Sequence, residues 1–281
     1  MGYKILSQSY SRSVQWLAVL HPEAGIAVHF PASAGHFHRY MVGQFSEINR
    51  KSIEPIALSV EGGNVRAMQR FISDAEWNEE RIEYKYRNMV NDDMGHPDGA
   101  VLFDESSYVK KGQNSIGVSR QYAGSIGKTE NCQVGVFAAY TSASGYALID
   151  KRLYIPEKWF GEDYKERRIK CNFPEDTKFK TKPELAVEML DQIAKENILP
   201  FRYVLADSIY GENPSFLEAV ESLVGVTYFV SVGSDTPCWL KRPVTMEKNT
   251  SSGKKLIFDV LKHIKSWDDC GCDVAHQYAM L

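Results

Sequence analysis

The chain has 281 residues, enough to bury a substantial core as one large domain or two smaller ones, and 43% are hydrophobic, an ordinary share for a globular protein. A formal net charge of −3 announces no nucleic-acid partner, so any such partner has to be sought in local basic patches. No apolar run approaches the ~18 residues of a membrane span, the N-terminus lacks the pattern of a secretory signal, and the five cysteines are odd in number and irregularly spaced, as expected of reduced thiols in a cytoplasmic protein.

Residues 1–45 show no clean periodicity. His21, His29, His36 and His38 fall here, but no paired metal-ligand spacing accompanies them, and surface or loop histidines are expected. Residues 46–95 carry apolar positions at helical spacing, interrupted by Pro55 and Gly62-Gly63. Asn64 can cap a helix over residues 65–73, with Val65, Met68, Phe71 and Ile72 on one face and Arg66 and Arg70 on another. Asp74 or Asn78 opens the next helix, with Trp77, Ile82, Tyr86 and Val90 as its apolar stripe. Two short helices with exposed arginines suit either a bundle packed on a core or a helix-turn-helix docked on DNA.

A turn at Pro97-Asp98-Gly99 leads into a buried strand over residues 100–103 that ends at Asp104. Lys110-Lys111-Gly112 reads as a basic turn, and Arg120 and Lys128 flank a Gly-containing loop. Residues 133–140 and 146–154 form the clearest strand pair, joined through Ser144-Gly145. Residues 160–182 crowd together Lys165, Arg167, Arg168, Lys170, Lys178, Lys180 and Lys182, either as a solvated loop or as a surface for a phosphate backbone. Pro183 starts a helix reaching about residue 196. A strand over residues 201–206 again ends in an acid, Asp207, and is followed by a turn over residues 208–211, a helix over 214–223 and a strand over 226–232. This alternation argues for an α/β sheet flanked by helices. Residues 245–254 look linker-like, and 256–264 read as a short amphipathic helix.

Asp104 and Asp207 each follow an apolar strand. If the strands are neighbours, the carboxylates meet at one sheet edge, where they repel unless they share a proton or a cation. Hard oxygen ligands beside lysines and arginines suit Mg²⁺ and phosphoryl transfer. The same pair could cap turns or serve a glycosidase, although basic surroundings fit a polyanion better than a neutral sugar.

The segment FDESSYVKKGQNSIGVSRQYAGSIGKTENCQVGVFAAY resembles the signature of the IS701-type transposases, whose central part is a DDE superfamily endonuclease domain. AMQRFISDAEW, ALIDKRLYIPEKW, FPEDTKFKTKPELAVEML and VLADSIYGENPSFLEAVE, followed by YFVSV, resemble the same family in the same order, so the likeness covers about residues 40–235. The resemblance implies an RNase H-like mixed sheet flanked by helices, preceded by a helical N-terminal region. The expected division is residues 1–97, a candidate DNA-binding region; 98–240, the endonuclease domain; and 241–281, an irregular tail. It implies that Asp104 and Asp207 are catalytic and hold Mg²⁺ or Mn²⁺, and that Ser106 and Ser107 stand where the family has Thr-Gly. It implies DNA as partner, with phosphodiester hydrolysis at an element end followed by attack of the freed 3′-OH on target DNA, and a homo-oligomer bridging two ends. Lys110, Lys111, Arg120 and Lys128 are the candidate DNA contacts. The segment that bears the family's third acid has no counterpart here: Glu212, Glu218, Glu221 and Glu247 all stand in other contexts. A truncated or internally deleted copy is therefore expected. Two readings stay open, a DDE transposase and a catalytically defective DNA-binding remnant of one.

Overall fold

The computed structural model describes residues 31–75 and 78–233, together with four short strands further on. They fall into two units divided between Met89 and Val90. No helix among the described residues is long and apolar enough to cross a membrane.

The first unit is helical. It contains α1 (Pro31–Phe45), α2 (Ile53–Ser59), α3 (Val65–Ser73) and most of α4 (Glu79–Met94), which runs across the division. Ile56, Ala57 and Met68 form its buried centre, with Tyr40, Ile48, Ile53, Val60 and Val65 packed around them. Asn64 caps α3 as its position suggests, its side chain accepting from the Ala67 amide at 2.9 Å. Asn78, not Asp74, opens α4, accepting from the Arg81 amide at 2.9 Å; Asp74 closes α3 instead. Gly63 is required by close approach, because a Cβ there would lie 1.9 Å from the Ala57 carbonyl oxygen. The helix α1 went unread in the sequence. It places His36 beside Phe71, with ring centroids 6.1 Å apart, while His21 and His29 lie outside the described residues.

The second unit is built on a mixed sheet of β1 (Ala100–Val109), β2 (Ser119–Ala123), β3 (Lys128–Ser142), β4 (Gly145–Tyr154), β5 (Tyr203–Ala206) and β6 (Thr227–Val230). The main path is β4-β3-β1-β5-β6. The first three of these strands are antiparallel, and β5 and β6 run parallel to β1. β2 lies across β3 from β1 and continues the β4 edge along the lower part of β3, so Cys132 has Val109 on one side and Ser119 on the other. This is the mixed, helix-flanked α/β architecture expected of an RNase H-like domain.

Alternation along β3 buries Val134, Val136, Ala138 and Tyr140. α6 (Lys182–Glu196), which follows the short α5 (Lys165–Lys170), packs on β3 and β4 through Leu185, Ala186, Met189, Leu190 and Ile193. α8 (Pro214–Glu221) follows the single turn α7 (Ser208–Gly211) and sets Phe216 edge-on to Phe103 of β1, 5.6 Å between centroids. Tyr140 ties the entries of β1 and β5 together: its hydroxyl accepts from the His96 amide at 2.9 Å and donates to the Pro200 carbonyl at 2.9 Å.

Three stretches differ from the sequence expectation. β1 does not end at Asp104 but continues to Val109, because β3 goes on supplying ladder partners as far as Cys132; what ends at Phe103 is the pairing with β5. Residues 160–182 are neither a bare loop nor a plain basic surface. They wrap Trp159, which is fully buried, stacks on Phe173 and donates its indole N–H to the Val118 carbonyl at 3.0 Å. The helix expected over residues 256–264 is overturned at its start, where Lys255–Asp259 is a strand paired antiparallel with Thr245–Asn249. Leu256, Ile257 and Phe258 form a short apolar run, and such runs do not by themselves distinguish helix from strand.

Candidate active site

Register brings the two strand-end acids together. β1 and β5 pair in parallel up to Phe103 opposite Ala206, and one residue further each chain carries an aspartate, Asp104 and Asp207. Beyond that point β5 turns into α7. Asp207 is the N-cap, its Oδ1 accepting from the Ile209 amide at 3.0 Å. Asp104 Oδ1 accepts from the Glu105 amide at 2.7 Å. One carboxylate oxygen from each of Asp104, Glu105 and Asp207 lies within 4.8 Å of the others, and among the described residues this is the one acidic, His or Cys group with such geometry.

The electrostatics match the crowding. Partial burial pushes the Asp207 carboxyl up, the neighbouring Glu105 adds to this, the Ile209 amide opposes it, and Asp104 raises it further. Two aspartates whose charges are opposed only by backbone amides leave a negative site that a hard divalent cation would fit. Asp104 and Asp207 also line an open cleft of about 350 Å³ with Leu102, Leu205, Phe229 and Ser231.

Glu105 belongs to the acidic pair visible in the sequence, yet sequence reasoning gave it no role. Its Oε1 accepts from Lys182 Nζ at 2.6 Å and its Oε2 from the Tyr210 hydroxyl at 3.1 Å. Tyr210 is buried against Phe216, and burial together with the Glu105 charge pushes its phenol far up, so it stays a donor. Lys182 was visible as one member of the basic run, but nothing in the spacing distinguished it from the six other cations named there.

The other candidates lie elsewhere. Lys110 and Lys111 are exposed just after β1, where Asn131 binds the Lys110 and Gly112 carbonyls. Arg120 is exposed on β2 opposite Asn131, and Lys128 opens β3, 3.5 Å from Glu130. None of the four joins the acidic group, and Lys110 lies roughly 20 Å along the chain direction of β1 from Asp104 at the usual strand rise. Of the later glutamates, Glu212 accepts from the Gly233 amide and Glu221 from the Tyr228 hydroxyl. Neither of these nor Glu218 joins the Asp104–Asp207 group, and the side chain of Glu247 lies outside the described residues.

A family model described as DDE superfamily endonuclease matches residues 28–273. The chain belongs to the DDE superfamily endonucleases. Within that superfamily it is similar to the probable transposase for insertion sequence element IS701 of Microchaete diplosiphon, with 26% identity over 223 residues, covering 79% of this chain and 53% of that protein. The chain thus spans about half the length of the curated relative it matches. The matched span of the endonuclease family model includes both strand-end aspartates and the whole six-stranded sheet.

Proposed function

We propose that this chain is a transposase of the IS701 type, acting on DNA in the cytoplasm as a homo-oligomer that brings two element ends together. Asp104 and Asp207 are its catalytic carboxylates and would hold Mg²⁺ or Mn²⁺. The observation that carries the reading is the parallel register of β1 and β5, which sets two aspartates side by side at a cleft in a chain of endonuclease ancestry.

When bound, the ion supplies charge neutralisation and polarisation of a phosphoryl oxygen. The protein's part is positioning. Asp207 is fixed by capping α7 and Asp104 by the continuing β1 ladder, so both carboxylates are preset before DNA arrives. The apolar wall of Leu102, Leu205 and Phe229 narrows the approach of bulk water from the β5–β6 side of the cleft. Lys110, Lys111, Arg120 and Lys128 serve as phosphate contacts, holding the duplex by charge rather than sequence. Residues 98–240 form the catalytic part and 1–97 a DNA-binding part, with Arg66 and Arg70 exposed on α3.

A second reading is a DNA-binding remnant without catalysis. The observation favouring it is that the only further carboxylate in the acidic group, Glu105, already has both oxygens engaged by protein donors. One experiment separates the two: Mg²⁺- or Mn²⁺-dependent cleavage of DNA carrying the element ends. Cleavage that disappears in Asp104→Ala and in Asp207→Ala supports the transposase. Salt-sensitive binding with no cleavage by the unaltered chain rejects it in favour of the remnant.

A further inference from the structure

Glu105 is next to Asp104 in the chain but is held in a different way. Asp104 and Asp207 accept backbone amides, which leave their charges uncompensated, whereas Glu105 accepts from an ammonium and a phenol. The ammonium is itself unusually placed. Lys182 is the first residue of α6, where the helix dipole disfavours a cation. The Thr181–Glu184 capping box and Pro183 fix its backbone there. Its side chain is only 23% exposed and passes 5.8 Å from the centre of the Tyr154 ring. A lysine set against the dipole and drawn inward is built to meet Glu105 rather than to be solvated.

Charge gives this arrangement a purpose. Three carboxylates in one group, with one ammonium bound to the third, leave two negative charges, the complement of a single divalent cation. A Glu105 released from Lys182 would add a third charge and a competing ligand, since one of its oxygens lies within 4.8 Å of those of Asp104 and Asp207.

We propose that Lys182, assisted by Tyr210, is a positioning residue that withholds Glu105 from the ion, so that Asp104 and Asp207 alone act as ligands; this rests on the reading of those aspartates given above. The test is calorimetric titration of the full chain with Mn²⁺, without DNA and independent of turnover. Glu105→Gln weakens Mn²⁺ binding by less than about tenfold, because no ligand is lost and only the Lys182 charge is left unbalanced. Lys182→Met tightens Mn²⁺ binding about tenfold by freeing a carboxylate and removing a cation, and Lys182→Met combined with Glu105→Gln returns it to within about threefold. A lysine with a merely structural role would weaken binding when removed, and the second substitution would not repair it. A tenfold or greater loss in Glu105→Gln overturns the inference, as does a Lys182→Met that fails to tighten binding. Should Lys182→Met not fold, Glu105→Gln decides alone by the same criterion. Asp104→Asn and Asp207→Asn identify which idea has failed. If they bind Mn²⁺ like the unaltered protein, or if that protein binds none, the aspartate reading and this inference fall together. If they lose binding while the Lys182 result goes the wrong way, only this inference falls.

Discussion

Asp207→Asn is expected to stabilise the ion-free protein while destroying its function. Asparagine keeps the N-cap of α7, since its carboxamide oxygen accepts the Ile209 amide as well as a carboxylate does. What it removes is repulsion from Asp104 and Glu105, whose oxygens lie within 4.8 Å. Two unit charges at that separation repel by ~3 kcal/mol at an effective dielectric of about 20, and partial exposure and salt reduce this to about 1 kcal/mol. For a unit of this size, that is a rise in Tm of roughly 2–4 °C. The pH dependence has a definite sign. Asp207 in the folded protein is raised above the ordinary carboxylate value, so the folded state holds the proton more tightly. Stability is therefore lost as pH rises from about 4, the unfolded value, through the raised folded value. The asparagine variant escapes that loss, so the two melting temperatures converge below about pH 4 and separate above it. Thermal melts in chelator across this range test the point. Mg²⁺ should then raise the Tm of the unaltered protein and leave the variant unmoved. A variant that melts below the parent near neutral pH, or a gap that does not change with pH, would refute the reasoning.

Three other perturbations probe the scaffold and the DNA surface. Trp159→Ala should cost ~3–5 kcal/mol in urea unfolding, because it empties a fully buried site and orphans the Val118 carbonyl; a loss under about 1 kcal/mol would mean the 160–182 wrap is not anchored there. Gly211→Ala places a Cβ 2.3 Å from the Ser231 carbonyl oxygen, so the turn that begins at Asp207 must shift. Both stability, by ~1–3 kcal/mol, and Mn²⁺ affinity should fall, and unchanged affinity would show that the turn does not set Asp207. Lys110→Ala and Lys111→Ala should each weaken DNA binding uniformly across sequences and lower the salt slope by about 1 in filter binding; an unchanged slope would remove them from the phosphate contacts.

The elements legible in the sequence were those with local signals. The hairpin of β3 and β4, the Asn64 cap and the Pro183 start of α6 each announce themselves by alternation or by a cap residue. So did the two aspartates, each at the end of an apolar run. What remained illegible was set by tertiary pairing. That β1 carries on past Asp104 depends on the 15-residue length of β3, whose partner residues lie between 23 (Val109 to Cys132) and 41 (Ala100 to Thr141) positions along the chain from those of β1. α1 contains glycines and histidines that dilute its periodicity. At the site, the chain shows seven cations in one run, and only the packing of α6 on the sheet selects Lys182 for Glu105. Tyr210 likewise stood in a motif, but its donor role follows from burial that sequence does not display.

The parallel join between β1 and β5 also has a consequence for how the chain folds. Leu102 and Leu205 are partners across it, yet they stand 103 residues apart, with the β3–β4 hairpin, the Trp159 wrap and α6 between them. Loop closure over that distance is slow compared with hairpin formation, so the antiparallel half of the sheet can assemble first and dock β5 afterwards. The acidic pair consequently requires both strands to be in place. No fragment lacking either strand contains it, and a nascent chain cannot present it until β5 has been made and has paired. An acidic group shared between two strands so far apart in the chain is therefore a mark of the completed sheet.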